Sequence, residues 1–398
     1  MRRRALPAAL LAAAPFSANA ADTEVNVSGF IKFDALATQY SDGAQSSSLM
    51  NEFFVPSLIP TGGNDAQTRY NAHARESRIR FTTDTEIDDH QLGTHLELDF
   101  QVTDVDGSDE RISNSNSPRV RHAFFTFDNW LFGQTWSTFY NVSSLPELND
   151  FVGPVGTLFN RQPQLRYSAE AGYGTWHFAV ENPETRALDN ETGAPKRDDD
   201  NQEDAFTANA GGAPDVALRY DYATDHGSNV SLAVLGRQLA YEHADDAATE
   251  AGELETAYGG GVSLSGRLKV GSLDDFRFMA NYGQLGRYLG LNAFPGAYIA
   301  DNGDLEPITT AGGFVAYRHF WNNNLRSTIS VSMAQADVAR SEVGGGEADR
   351  YTSSHVNLMY SPIDPATFGI EYTWAERENV DDTQGRMQRV QFSAKYAF

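Results

Sequence analysis

Apolar residues return at every second position through this chain, in one short segment after another, and few folds accept that period. In VNVSGFIKFDA, Val25, Val27, Gly29, Ile31, Phe33 and Ala35 share one parity, opposite Asn26, Ser28, Lys32 and Asp34, with Phe30 the exception. QLGTHLELDFQV sets Leu92, Leu96, Leu98, Phe100 and Val102 against His95, Glu97, Asp99 and Gln101. VSLSGRLKV sets Val262, Leu264, Leu268 and Val270 against Ser263, Ser265, Arg267 and Lys269. Side chains alternate across a strand, so each segment is a ribbon with one oily face and one wet one. Sixteen such ribbons are predicted, near 25–38, 71–84, 91–103, 118–127, 130–137, 161–169, 174–182, 214–223, 228–240, 256–270, 273–286, 310–320, 324–336, 351–361, 366–377 and 386–398.

The connections alternate as well. EIDDH at Glu86, Asp128-Asn129, EAGYG at Glu170, TDHGS at Thr224, GSLDD at Gly271, WNNN at Trp321 and SPIDP at Ser361 are tight, and longer excursions separate them, the last one before Met387. A soluble sandwich does not sort its loops by end, whereas transmembrane barrels combine short periplasmic turns with long extracellular loops and strands oily outward, polar inward. No run reaches the roughly 18 to 20 apolar residues of a spanning helix, and mean hydropathy is −0.45. A sheet inside a bilayer must close, because no water pairs its edges. The C-terminal VQFSAKYAF supplies a closing strand, with Val390, Phe392, Ala394, Tyr396 and Phe398 toward lipid. The expected fold is all-β: a 16-stranded antiparallel transmembrane β-barrel formed by residues 21–398 as a single domain.

Ahead of it, MRRRALPAALLAAAPFSANA has three arginines, a short apolar stretch and a small-residue site at Ala18-Asn19-Ala20, the pattern of a cleaved secretory signal over residues 1–20. The chain has no cysteine, so neither disulfides nor thiolate metal sites arise. Its nine histidines show no HxxxH or HExxH spacing. No metal and no cofactor are expected.

The formal net charge of −24 sits largely in long loops, at Asp189, Glu191, Asp198, Asp199, Asp200, Glu203 and Asp204 and again from Glu242 to Glu255. Such loops suit a solvated surface, or divalent-cation bridging to an anionic leaflet. Within the strands, charge follows the polar parity. Arg78 and Arg80 flank Ile79, Arg166 lies between Leu165 and Tyr167, Arg219 between Leu218 and Tyr220, and Arg277 between Phe276 and Phe278. A charge facing lipid at mid-bilayer costs about 2 to 4 kcal/mol, so these side chains, with Lys32, Asp34, Glu97 and Asp99, are expected in the lumen. Arg119 and Arg121 flank Val120, although HAFFTF breaks the alternation after them. The third long connection, STFYNVSSLPELNDFVGPVGTLFNRQ, is aromatic and Gly/Pro-punctuated. That composition predicts burial in the lumen, with Glu147 and Asp150 facing an arginine wall across a narrowed passage. The alternative is that inward Arg–carboxylate pairs merely brace a plugged barrel, against which 16-stranded barrels leave an aqueous channel.

GQTWSTF at Gly133, RQPQLRY at Arg161, VENPE at Val180, PDVALRY at Pro214, GRYLG at Gly286 and YRHFW at Tyr317 resemble, in order and spacing, the DcaP-like porin family of Gram-negative outer membranes. The resemblance implies a homotrimeric, 16-stranded outer-membrane porin whose inward third loop forms a constriction. It also implies passive diffusion of small hydrophilic, anionic, dicarboxylate-like solutes. Matching positions place Arg78, Arg80, Arg119, Arg121, Arg161 and Arg166 in the basic wall. Some members carry an N-terminal coiled coil before the barrel, whereas here a strand follows the signal almost directly.

Other classes are a barrel enzyme, which needs a Ser–His–acid group, and a secreted carbohydrate-binding β-protein. No GxSxG occurs, so no enzyme is expected. The partners expected are small solutes, outer-membrane lipid and further copies of the chain, not nucleic acid.

Overall fold

The strands predicted from parity are all present in the computed structural model, which describes residues 23–44, 51–101, 116–189, 212–242, 254–300, 302–338 and 340–398. The signal segment and most of the two acidic stretches lie outside the described residues. The barrel strands are β1 (Thr23–Tyr40), β2 in two halves (Gln67–His73 and Arg78–Ile87), β3 (His90–Asp99) and β4 (Arg119–Phe127). Then come β5 (Trp130–Trp136), β6 (Arg161–Ala171), β7 (Gly174–Glu181), β8 (Asp215–Ala223) and β9 (Asn229–Glu242). They continue with β10 (Leu254–Val270), β11 (Asp274–Gly283), β12 (Thr309–Phe320) and β13 (Leu325–Asp337). The last three are β14 (Ala348–Ile363), β15 (Ala366–Asn379) and β16 (Gln384–Ala397).

Every neighbour is antiparallel, and β1 pairs with both β2 and β16, so the sheet closes. Phe33 faces Ala394 and Ala35 faces Phe392 in that seam. Beyond the ladder, Gly29 and Phe398 exchange backbone hydrogen bonds of 3.0 Å in both directions. Outward parity is oily as expected: Val27, Ile31, Leu165, Leu218, Val262 and Phe392 are exposed, while Lys32, Asp34, Glu97 and Gln391 are buried inside.

The structure departs from simple alternation in places with local causes. The second strand is interrupted at residues 74–77, where Glu76 turns in to Lys32 and the Ser77 hydroxyl accepts the Lys32 N–H at 3.0 Å. The break after Val120 is a bulge: Glu97 faces His122 and Leu98 faces Val120, so Arg121 is the extra residue, and both Arg121 and His122 turn inward. The excursion expected before Met387 is instead a tight turn between Asn379 and Gln384, with Asp382 at φ 68°, because β15 and β16 run 14 residues each.

The lumen is also oilier than expected. Among the described residues, at least three excursions at the long-loop end, not the third alone, fold into it. Phe53, Phe54 and Ile59 from the first, Phe139, Tyr140 and Leu158 from the third, and Tyr288, Leu289 and Phe294 from the one after β11 form one buried apolar cluster. A separate small sheet pairs 187–189 in parallel with 297–299, itself antiparallel to 305–307.

Candidate solute passage

The basic wall rises from β2, β3 and β4, where register sets arginines beside carboxylates: Arg80 faces Glu97 and Arg119 faces Asp99. Glu97 takes Arg80 at 2.6 Å and Arg121 at 2.7 Å, with Arg78 at 3.8 Å. Asp99 takes Arg119 in a two-pronged pair at 2.8 and 2.9 Å and Arg121 at 2.7 Å. Arg78 also stands 3.7 Å from Glu76.

The two remaining arginines of the expected wall differ from these. Arg161 lies with its guanidinium 4.6 Å from the Trp136 ring and 5.7 Å from Phe159. Among the described residues no carboxylate pairs with it, and its Nη1 is buried without a hydrogen-bond partner. Arg166 stands apart from the cluster, in the field of Arg219, Glu181 and Asp221.

The third loop crosses the lumen, but its acids do not face this wall. Glu147 is gripped by Arg326 (2.6 and 2.8 Å) and Arg318 (2.9 Å), which project from β13 and β12. Asp150 accepts the N–H groups of Phe54, Val152 and Gly153 and lies 3.6 Å from Arg389 of β16. Both acids therefore fasten the loop to other strands. What meets the wall is aromatic: the Phe151 ring lies 5.3 Å from the Arg121 guanidinium, 5.7 Å from Arg119 and 5.8 Å from Arg78, within cation–π reach.

Three cations expected in the lumen are clamps on the same loop. Lys32, which pairs with Asp34 at 3.3 Å and with Glu76, donates to Asn149 O at 2.7 Å. Arg219 donates to Thr138 O and Tyr140 O at 2.9 and 2.7 Å. Arg277, paired with Asp275 at 2.6 Å, donates to Leu145 O.

Burial pushes the Glu147 carboxyl up, but hydrogen bonds from Arg326 and Arg318 and their charges outweigh it and hold it at about 2, against an ordinary 4.5. A depressed carboxyl stabilises the folded loop above the unfolded value, and that contribution is lost as pH falls from about 4.5 toward 2. The conductance difference between the parent and Glu147→Gln is expected to hold steady from pH 7 to 5 and to shrink only as pH falls below about 4.5. A titration of single-channel conductance checks this, and Glu147→Gln should show the low-pH behaviour at neutral pH.

Several anchors were missed in the sequence, although some carry a signal. NEFFVPSLIP at Asn51 is an apolar run inside an excursion, and its Phe53 ring meets Phe151 at 5.3 Å. Glu371 lies on the polar parity of β15 between outward Ile370 and Tyr372. It accepts the N–H groups of Asn149 (2.8 Å) and Asp150 (3.2 Å).

Known structures share this architecture. The crystal structure of the outer membrane channel DcaP of Acinetobacter baumannii superposes with a TM-score of 0.75 at 22% identity, covering 94% of this chain and 97% of that one. OmpT of Vibrio cholerae in its trimer form gives 0.55 at 11% identity, covering 94% and 99%. OmpF of Salmonella typhi in complex with daunomycin gives 0.53 at 11% identity, covering 94% and 97%. No curated protein matches the chain. The family model of the DcaP outer membrane protein matches residues 12–398, so the chain belongs to that outer-membrane family.

Proposed function

We propose that the barrel is a passive diffusion channel for small hydrophilic anions, of which dicarboxylates are the class best suited. One observation carries this reading. Among the described residues, Arg78, Arg80, Arg119, Arg121 and Arg161 share one stretch of lumen with three carboxylates, Glu76, Glu97 and Asp99, while Lys32 and Asp34 pair with each other beside them. The excess is positive although the whole chain is strongly acidic. A wall of one sign in a confined passage raises the local concentration of the opposite ion. The signal segment and a homotrimeric assembly belong to the same proposal, the latter supported by the trimer form of the Vibrio cholerae neighbour. An SDS-resistant complex of three chains in unheated gels is the expected result, and a monomer-sized band would count against it.

A catalytic role is disfavoured by local geometry. Ser168 Oγ does lie 2.8 Å from His177 Nδ1, and His177 Nε2 lies 3.2 Å from Asp221 Oδ2, a grouping that β6, β7 and β8 create and no sequence spacing announces. Yet Asp221 is also held by Ser231 at 2.5 Å and Arg219 at 2.9 Å. The Ser168 N–H donates to Asn129 O at 2.9 Å, and regular strand pairing engages the flanking backbone. A hydrolase needs donors aimed at a developing oxyanion, and the N–H of Ser168 itself is spent on Asn129.

The test is the reversal potential in a planar bilayer under a salt gradient. Replacing Arg78 and Arg80 together by alanine removes two guanidiniums, leaving three beside three carboxylates. Anion preference should fall toward none. An unchanged reversal potential in the double variant would remove this wall from the selectivity of the channel.

A further inference from the structure

We infer that the cavity where the loops meet β4 and β6 is a binding site for an amphiphilic monoanion, such as a medium-chain carboxylate, and that its occupant obstructs the passage. The cavity is about 760 Å³, within the range of small-molecule sites. Phe53 and Leu58 from the first loop, Phe151 and Phe159 from the third and Leu291 from the loop after β11 give it an apolar side. Arg119, Arg161, Arg186 and Arg287 give it a basic one.

Among the described residues, Arg161 is the one of those four cations with no hydrogen-bond acceptor or carboxylate on it. Arg119 is bound by Asp99 through two nitrogens. Arg287 lies 3.6 Å from Asp215 and donates to Asn182 O at 2.6 Å. Arg186 lies in the field of Glu347 and reaches Asn292 O at 3.5 Å. Arg161 has aromatic faces and no carboxylate among the described residues. Its position, with rings on the cation and apolar side chains beyond, suits a carboxylate head on Arg161 and a hydrocarbon body along Phe53, Leu58 and Leu291. Glu184 also lines the cavity. A second carboxylate on the ligand would meet Glu184 or the apolar side, and an unpaired charge is costly in such surroundings. The site therefore prefers one charge with an oily tail, where the open passage proposed above takes small polar anions. The site itself stands whether or not that passage selects anions, because it rests on binding.

Octanoate is the probe, with octanedioate as a control of equal length and a second charge. Titrated into nanodisc-embedded protein, octanoate should change the fluorescence of Trp136, which packs on Arg161, and Trp136→Phe should abolish that signal. Octanoate should also block single-channel current at least ten times more strongly than octanedioate. Arg161→Gln should lose both effects and Arg161→Lys should restore the block in part. Equal block by the two acids, no fluorescence change with octanoate, or full block in Arg161→Gln would each overturn the site. The reversal-potential measurement is made without octanoate, so its failure is distinct from this one.

Discussion

Replacing Gly156 with valine is expected to lift the third loop off the barrel wall and raise single-channel conductance severalfold. A Cβ on Gly156 would lie 2.2 Å from Gly313 O, 2.3 Å from Gly313 N and 2.5 Å from Met333 O, all backbone atoms of β12 and β13 that belong to the ladder and cannot move aside. Around that contact the loop is hydrogen-bonded to the wall: Asn281 Nδ2 donates to Gly156 O at 3.0 Å, and the Val155 N–H donates to Ser332 and Ser353 at 3.1 and 3.3 Å. Forcing atoms into such packing costs about 1–3 kcal/mol, and the withdrawal needed to relieve it breaks these bonds as well. Conductance in planar bilayers at molar salt is the right measurement, because wall charges are then screened and the cross-section decides. A Gly156→Val channel that conducts like the parent would show that the loop stays seated.

Much of the barrel was legible because a bilayer imposes a one-bit rule on each strand residue, lipid or lumen. Val27, Ile31 and Phe33 obey it so regularly that strand count and closure follow from parity. The exceptions were legible only as breaks. Phe30 is inward beside Arg78, its ring 5.1 Å from the guanidinium. HAFFTF conceals a bulge at Arg121, and parity says that a break exists without saying which residue is extra. Parity also places Glu97 and Arg80 in the lumen without saying that they pair, since that depends on register.

Loop 3 marks the limit more sharply. Its composition announced burial, but the partners of Glu147 and Asp150 come from β12, β13 and β16, more than 160 residues away along the chain. Nothing local favours those strands over β2 to β4. The decisive factor is the path of the backbone, which turns Phe151 toward the arginines and the two acids away. The result is a passage in which a basic wall meets an aromatic edge, not an acidic one. The two acids that the sequence reading set opposite the wall are therefore held elsewhere, and the transverse field expected from them is not formed at this wall.

Glu371 anchors that path from β15, and Glu371→Leu is expected to free the loop at its opposite flank. The side chain is 1% exposed and accepts hydrogen bonds from Asn149 N, Asp150 N and Asn357 Nδ2 at 2.8, 3.2 and 3.0 Å, with His355 Nδ1 at 3.5 Å. Each buried donor left unsatisfied costs about 1–3 kcal/mol, so the segment at Asn149 and Asp150 is expected to shift away from β15. The pairing of β15 with β14 and β16 uses backbone alone and should survive. The unheated gel band should therefore persist but convert to the unfolded position at a lower temperature, while conductance rises. Combining Glu371→Leu with Gly156→Val tests the shared cause. Two lesions in one loop that has already left the wall should raise conductance no further than either alone, since residues acting through one element couple. A fully additive rise would mean that the two anchors hold separate parts of the loop.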